Sequence, residues 1–277
     1  LDANTTGDDN VAIGYDALSA TTTGGSNVAI GREAAENSVQ GNGVVAIGYR
    51  ALHNTTDASY QVAIGYEALA AAQSTGLYNL AVGYRSMHNL SQSGASNNTA
   101  VGHAAMYSAT GCSKNTALGR SALYTVTDSG HNLVGVGHSA LYSNTGGDHN
   151  TAVGSDAMFA NTTGGYNTAV GRSALLANTT GGNNTAVGAY ALQANTTGIQ
   201  NTAVGYNALY TNTTSSYCTA LGREALFWNS TGASNTAVGT DALQSNTTGN
   251  YNTAVGHDCL DANSTGDDNT AVGYNAL

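Results

Sequence analysis

The stretch NTAVGYNALYTNTTS, from Asn201 to Ser215, makes up all but the last two residues of the unit from which the whole chain is built. Its opening, [TV]-A-[VIL]-G with small variations, places an anchor glycine at Gly14, Gly31, Gly48, Gly65, Gly83, Gly102, Gly119, Gly137, Gly154, Gly171, Gly188, Gly205, Gly222, Gly239, Gly256 and Gly273. Twelve of those fifteen steps are 17 residues, and the others are 18, 19 and 18. Sixteen copies at near-constant spacing mark a repeat architecture. The consensus reads N-T-A-V-G-x-x-A-L-x-x-N-T-T-G-x-x.

NTAVG has the alternation of a short strand. It puts Thr168 and Val170 on one face, and Ala169 and Gly171 on the other. The larger side chains are expected inside: Val170, Val187 and Val204, joined by Leu175, Leu192 and Leu209 of the A-L pair. Ala152, Ala169, Ala186 and Ala203, with the anchor glycines, are then expected outside as a small-residue stripe against another chain. NTTG is turn chemistry. One unit cannot bury its Val and Leu alone, but stacked neighbours can. The expected fold is all-β: an elongated parallel β-solenoid, or β-roll, of 16 coils with 17 residues each. In-register pairing gives a rise of about 4.8 Å per coil. Asn at the strand start, present in twelve of sixteen copies, can form a hydrogen-bonded ladder; Val44, Gln61, Leu133 and Cys218 replace it elsewhere.

The array reads as one tandem-repeat domain over 1–277, irregular in coils 1–136 and regular at 137–277. Extra residues near Ser74, Gln92 and Ser129 are expected as outward corner bulges. LDANTTGDDNVAIGYDAL at the start nearly duplicates LDANSTGDDNTAVGYNAL at the end, which points to a segment of a longer fibre.

Composition excludes several function classes. The formal charge is −10 with only seven Lys and Arg, so there is no electrostatic footprint for nucleic acid. No apolar run approaches the ~18–20 residues that span a bilayer, so membrane insertion is not expected. Only 9% of residues are charged and there is no Pro, against about 25% charged in ordinary domains. Cys112, Cys218 and Cys259 occupy different repeat positions and cannot form a ladder of bridges.

The strings NVAIG (Asn27 to Gly31), VVAIG (Val44 to Gly48) and the many NTAVG copies resemble the head repeats of trimeric autotransporter adhesins. The full unit is similar to repeats of phage tail-fibre-type proteins and related bacterial surface proteins. The resemblance covers the whole chain. It implies a parallel β-roll with three chains around one axis, hence copies of itself as partners, on a virion or cell-surface fibre outside the cell.

Two rows are candidates for function. The residue after the anchor glycine is Tyr15, Arg32, Tyr49, Tyr66, Tyr84, His103, Arg120, His138, Arg172, Tyr206, Arg223, His257 or Tyr274 in thirteen of sixteen coils. The residue after it is often acidic, as at Glu33, Glu67, Glu224, Asp241 and Asp258. These stripes suit ionic and stacking contacts between chains, or a sugar-binding surface; a structural ladder is the preferred reading. A second row, five residues after the glycine, holds Tyr107, Tyr124, Tyr142, Phe159, Tyr210 and Phe227, with Trp228 adjacent. Exposed rings could stack on sugar C–H faces, though stacked ladders are also ordinary solenoid glue.

No catalytic constellation stands out: every Ser, His and acid is repeated or isolated, without a nucleophile–base pair. His103 and His138 share a repeat position but lie two coils apart, so no metal or other cofactor is expected. Sequons such as Asn161, Asn178 and Asn195 read as turn asparagines bonding to backbone rather than glycan acceptors. The functional expectation is a non-catalytic structural or adhesive fibre segment, with cell-surface glycans as the class of ligand. The alternative is an ice-binding or other ligand-binding solenoid, disfavoured here because the strand Thr shares a face with Val expected to be buried.

Overall fold

A computed structural model describes residues 1–57, 59–71, 76–90, 94–127 and 130–277. The chain is an all-β parallel β-solenoid of sixteen coils, with one three-residue strand per copy of the repeat. It comprises two compact units, Leu1–Ser139 with Ser143–Gly146, and Ala140–Tyr142 with Gly147–Leu277. No helix among the described residues is long and apolar enough to cross a membrane.

In the first unit the strands are Val11–Ile13, Val28–Ile30, Val45–Ile47, Val62–Ile64, Leu80–Val82, Thr99–Val101, Thr116–Leu118 and Val134–Val136. Each pairs in parallel with the next, and equivalent residues face one another. The register survives the longer steps: Val62 pairs with Leu80, Leu80 with Thr99, and Thr116 with Val134. Ser74, Gln92 and Ser129, the expected bulges, lie outside the described residues. This unit also carries a pair the repeat does not announce, Ser108–Ala109 with Thr125–Val126, where YSAT and YTVT follow the A-M and A-L pairs. In the second unit the strands run from Thr151–Val153 to Thr270–Val272 in the same register.

The facing of the strand is the reverse of the expectation. Ala152, Ala169, Ala186 and Ala203 are fully buried inside their own coils, whereas Val170, Val187 and Val204 are 36–38% exposed. The reason is the size of the coil. A 17-residue turn encloses a narrow interior, which fills with two alanines and one leucine per coil, as in Ala186, Ala191 and Leu192. Inward Thr and Val would overfill it. Leu175, Leu192 and Leu209 are fully buried, as expected. The small-residue stripe is therefore a core, and the alanines do not lie against another chain.

Asn shares the inward face and solves the problem of buried polar groups. Asn184 Nδ2 donates to the Gly198 carbonyl at 2.8 Å, and its Oδ1 accepts the Asn201 backbone N–H at 2.9 Å. The same pair of bonds recurs at Asn150, Asn167 and Asn201. Where Cys218 replaces Asn, its thiol bonds the Gly232 carbonyl at 3.3 Å, and burial pushes its pKa up. Gln61 keeps a bond to the Gly76 carbonyl but leaves its Oε1 without a partner, one methylene out of place. A second ladder runs through the turns: Asn178, Asn195 and Asn212 each donate to the Asn of the preceding coil at 2.8–3.0 Å. Asn161, Asn178, Asn195, Asn212, Asn229 and Asn246 are fully buried. As glycan acceptors these sequons are closed; the exposed ones are Asn4, Asn54, Asn97 and Asn183.

Tight corners demand left-handed backbone. Gly171 has φ +137, and a Cβ there would sit 2.5 Å from the Gly188 carbonyl oxygen, so no other residue fits. Ordinary residues take similar conformations: in one coil Asn183, Tyr190 and Leu192 have φ of 59, 62 and 52. Such a conformation costs about 1–2 kcal/mol for an L-residue. Here it aims each N–H at a neighbouring coil: Asn183 to Gly165 O at 3.1 Å, Tyr190 to Arg172 O at 2.9 Å, and Leu192 to Ala208 O at 3.0 Å.

Leu192→Ala should cost about 2–5 kcal/mol. Ala186→Leu should destabilise the coil by about 1–3 kcal/mol through overpacking, whereas Val187→Thr should change stability by less than about 0.5 kcal/mol. Thermal or urea unfolding of the three variants checks this ordering; equal sensitivity at Val187 and Ala186 would overturn the facing.

Candidate functional site

With Thr and Val turned outward, the strands present a face of uncharged residues only. In the first unit the outward pairs are Val11/Ile13, Val28/Ile30, Val45/Ile47, Val62/Ile64 and Leu80/Val82, followed by pairs of Thr or Val with Val or Leu. In the second unit every strand presents Thr with Val or Leu. Ile30, Leu118, Val170 and Leu221 are among the exposed large apolar residues.

The row after the anchor glycine stacks from Tyr49 to His103 in the first unit and at one pair in the second. Tyr49 and Tyr66 have ring centroids 5.0 Å apart, Tyr66 and Tyr84 5.4 Å, and Tyr84 and His103 5.0 Å. The Arg32 guanidinium lies 5.7 Å from the Tyr15 ring centre and 6.0 Å from that of Tyr49. In the second unit His257 stacks on Tyr274 at 5.5 Å. Arg172 instead lies 5.6 Å over the ring of Tyr190, the next position along, and Arg223 pairs with Glu224. Arg120 and His138 belong to the same row, and the Arg120 carbonyl accepts the Ser139 N–H.

The second row stacks as well: His88 on Tyr107 and Tyr107 on Tyr124, both at 5.2 Å, Tyr142 on Phe159 at 5.0 Å, and Tyr210 on Phe227 at 5.1 Å. Trp228 meets Phe227 edge-on at 4.7 Å. A third row went unread in the sequence. Tyr60 stacks on Tyr78 at 5.5 Å and His149 on Tyr166 at 4.8 Å, and Tyr217 and Tyr251 hold the same register, five residues before the anchor glycine. Its recurrence with Tyr at that one position was the available signal.

Charged groups engage one another across coils. Glu33 bonds Arg50 at 2.5 Å and Arg32 at 2.9 Å, and Arg85 bonds Glu67 at 2.7 Å. The Arg50 hydrogen bond, against the opposing effect of burial and with help from Arg32, holds the Glu33 carboxyl below the usual carboxylate range. These side chains border a hollow of about 190 Å³ lined by Arg50, His53, Asn54, Glu67, Ala70, Ala71 and His88.

Among the described residues, two groups bring three potential metal-ligand atoms within 4.8 Å of one another: Glu33, Glu36 and His53, and Asp241, His257 and Asp258. Each group is already engaged. His53 bonds Glu36 at 2.8 Å, His257 bonds Asp258 at 2.8 Å, and Gln244 Nε2 donates to Asp241 at 3.1 Å. Glu224, Asp241 and Asp258 occupy equivalent positions in successive coils. Burial pushes the Asp241 carboxyl above its usual range; Arg223 opposes the shift, and Glu224 and Asp258 add to it.

Not every ring pair of the second unit stacks. Tyr190 and Tyr206 meet edge to face, at 6.0 Å and 82°. With Gln193, Asn207, Tyr210 and Phe227 they line a groove of about 420 Å³. Ala189 stands there, where the neighbouring coils have Arg172 and Tyr206, and Leu176 and Gln193 separate Phe159 from Tyr210 in the second row. The Gln193 side-chain oxygen is buried without a hydrogen-bond partner.

No protein-family model matches the chain, and no curated protein is significantly similar to it.

The raised Asp241 pKa has a definite sign. Ionising this carboxyl costs more in the folded chain than in the unfolded one, so its favourable contribution is full below the ordinary carboxylate pKa and is lost as pH rises through the folded value. Asp241→Asn should therefore raise the melting temperature at neutral pH, and the gain should vanish below about pH 3, under the ordinary Asp value. Thermal unfolding across pH checks this; a gain that grew on acidification would contradict it.

Proposed function

We propose that this chain is a non-catalytic structural and adhesive segment of an extracellular fibre, built by self-association of copies through the outward Thr/Val face. The observation that carries the reading is that face: uncharged, in register and repeated in every coil. An uncharged face with an outward Val, Ile or Leu in each coil suits an interaction site. A second copy is the fitting occupant because its spacing matches: identical repeats present Val or Ile at the same interval along the whole contact. Three chains about a common axis close the arrangement without leaving the face open, in line with the adhesin resemblance of the NTAVG strings. The titratable groups support a non-catalytic reading, since they recur as rows and pair with one another. The phage-tail or microbial surface setting rests on the resemblance of the repeat.

One observation favours a second reading, an ice-binding solenoid. The strand Thr shares its face with Val170, Val187 and Val204, which are exposed rather than buried. Thr151, Thr168, Thr185, Thr202, Thr219, Thr236, Thr253 and Thr270 form one outward row in register.

Light scattering on the intact chain should give a mass of three chains. Val170→Lys with Val187→Lys and Val204→Lys should shift it to one chain while circular dichroism stays unchanged. A folded monomer in the unmodified protein would contradict the association, and if it also showed thermal hysteresis the Thr row would be binding ice instead.

A further inference from the structure

We propose that the groove between Tyr190, Tyr206, Tyr210 and Phe227 is a binding subsite for a neutral sugar ring, a hexose or N-acetylhexosamine at the surface of a glycan. The inference rests on the adhesive part of the reading above and gives it a ligand class and a place.

The case starts from what is different about this place. Along most of the rows, rings stack parallel on their neighbours at 4.8–5.5 Å, and their faces are occupied. At Tyr190 and Tyr206 the rings stand at 82°. Tyr206 is half exposed. Two departures from the repeat produce the gap. Ala189 removes the side chain that would continue the row between Arg172 and Tyr206, and Gln193 takes the place of a ring next to Tyr210. The resulting volume, about 420 Å³, falls within the ~300–1,000 Å³ of small-molecule sites.

The second observation is independent of the rings. Gln193 lines this groove, and its Oε1 is turned away from solvent, buried, with no hydrogen-bond partner. Buried acceptors are nearly always paired, and an exception calls for an explanation. A turn of the Gln193 amide brings this oxygen into the groove, where a ligand hydroxyl or amide N–H supplies the missing donor. Asn207 adds a side-chain amide able both to donate and to accept.

Aromatic walls with a few placed amides select the ligand. Ring faces carry partial negative charge and attract the polarised C–H groups of one side of a pyranose. The hydroxyls around its rim meet Gln193 and Asn207. A purely apolar ligand would leave the Gln193 oxygen unpaired. An anionic sugar finds no charged residue in the lining, and the guanidiniums beside it are engaged, Arg172 over the Tyr190 ring and Arg223 with Glu224.

The test is saturation-transfer NMR on the intact chain with methyl glycosides of glucose, galactose, mannose, N-acetylglucosamine and N-acetylgalactosamine, alongside a sialoside and an aromatic tripeptide. At least one neutral glycoside should bind, with transfer strongest to C–H protons of one ring face. Gln193→Leu removes the amide and its acceptor and leaves a branched apolar side chain one methylene shorter. It should leave the melting temperature unchanged or higher and weaken binding about tenfold, the worth of one such hydrogen bond. Tyr206→Ala should abolish binding, and Tyr251→Ala, at an exposed ring of another row, should leave it intact. No binding by any neutral glycoside, equal binding by the Gln193→Leu protein, loss of binding on Tyr251→Ala, or preference for the sialoside or the peptide would each overturn the assignment. Light scattering on the same samples separates the two readings, because loss of sugar binding with association intact removes the subsite and leaves the fibre role standing.

Discussion

Everything in this solenoid follows from how little room there is inside a 17-residue coil. The interior holds Ala186, Ala191 and Leu192 in one coil and their equivalents in the next, together with the asparagines that close both ladders. A wider turn could hold Val or Ile, and the strand would turn over. The narrow one admits only small side chains opposite a single Leu, and it brings backbone close enough that the anchor position must be glycine. With so little apolar volume per coil, hydrogen bonding takes a larger share of the specificity. Asn184 fills one donor and one acceptor requirement within the core, and the cost of leaving such groups unpaired, about 1–3 kcal/mol each, penalises any other register.

The repeat, its parallel pairing, the buried Leu and the Asn ladder were all legible in the sequence, because each depends only on spacing and residue type. The facing of the strand was not. Ranking by hydrophobicity favours Val over Ala for the core, and only the coil's cross-section reverses that order. A clue was present: with a period of two, Asn184 and Ala186 share a face, so an inward Asn ladder commits Val187 to the outside. The left-handed backbone at Leu192 and Tyr190 was equally hidden, since nothing in a Leu or Tyr announces φ near +50 to +60.

The surface shows the same division. Rows that recur, such as Tyr49, Tyr66 and Tyr84, could be read off the spacing, and they stack on one another within the chain. The groove was not legible, because it arises where the pattern breaks, at Ala189 and Gln193, and its meaning depends on ring angles and on one buried oxygen. In a repeat protein regularity serves the scaffold, and departures from it are the places where a specific ligand can be recognised. The outward Thr/Val face belongs to the regular part and the groove to the irregular, so association and recognition can be separated by mutation.

Hydrogen exchange of the asparagine side-chain amides tests the inward Asn/Ala face most directly. Asn167, Asn184 and Asn201 donate their Nδ2 hydrogens to carbonyls inside the coil. Their exchange by NMR should be as slow as that of the strand backbone, with the exposed Asn183 side chain beside them exchanging freely. Rapid exchange at Asn167, Asn184 and Asn201 would place Asn and Ala on the solvent side and return Val187 to the core, contradicting the account at its base.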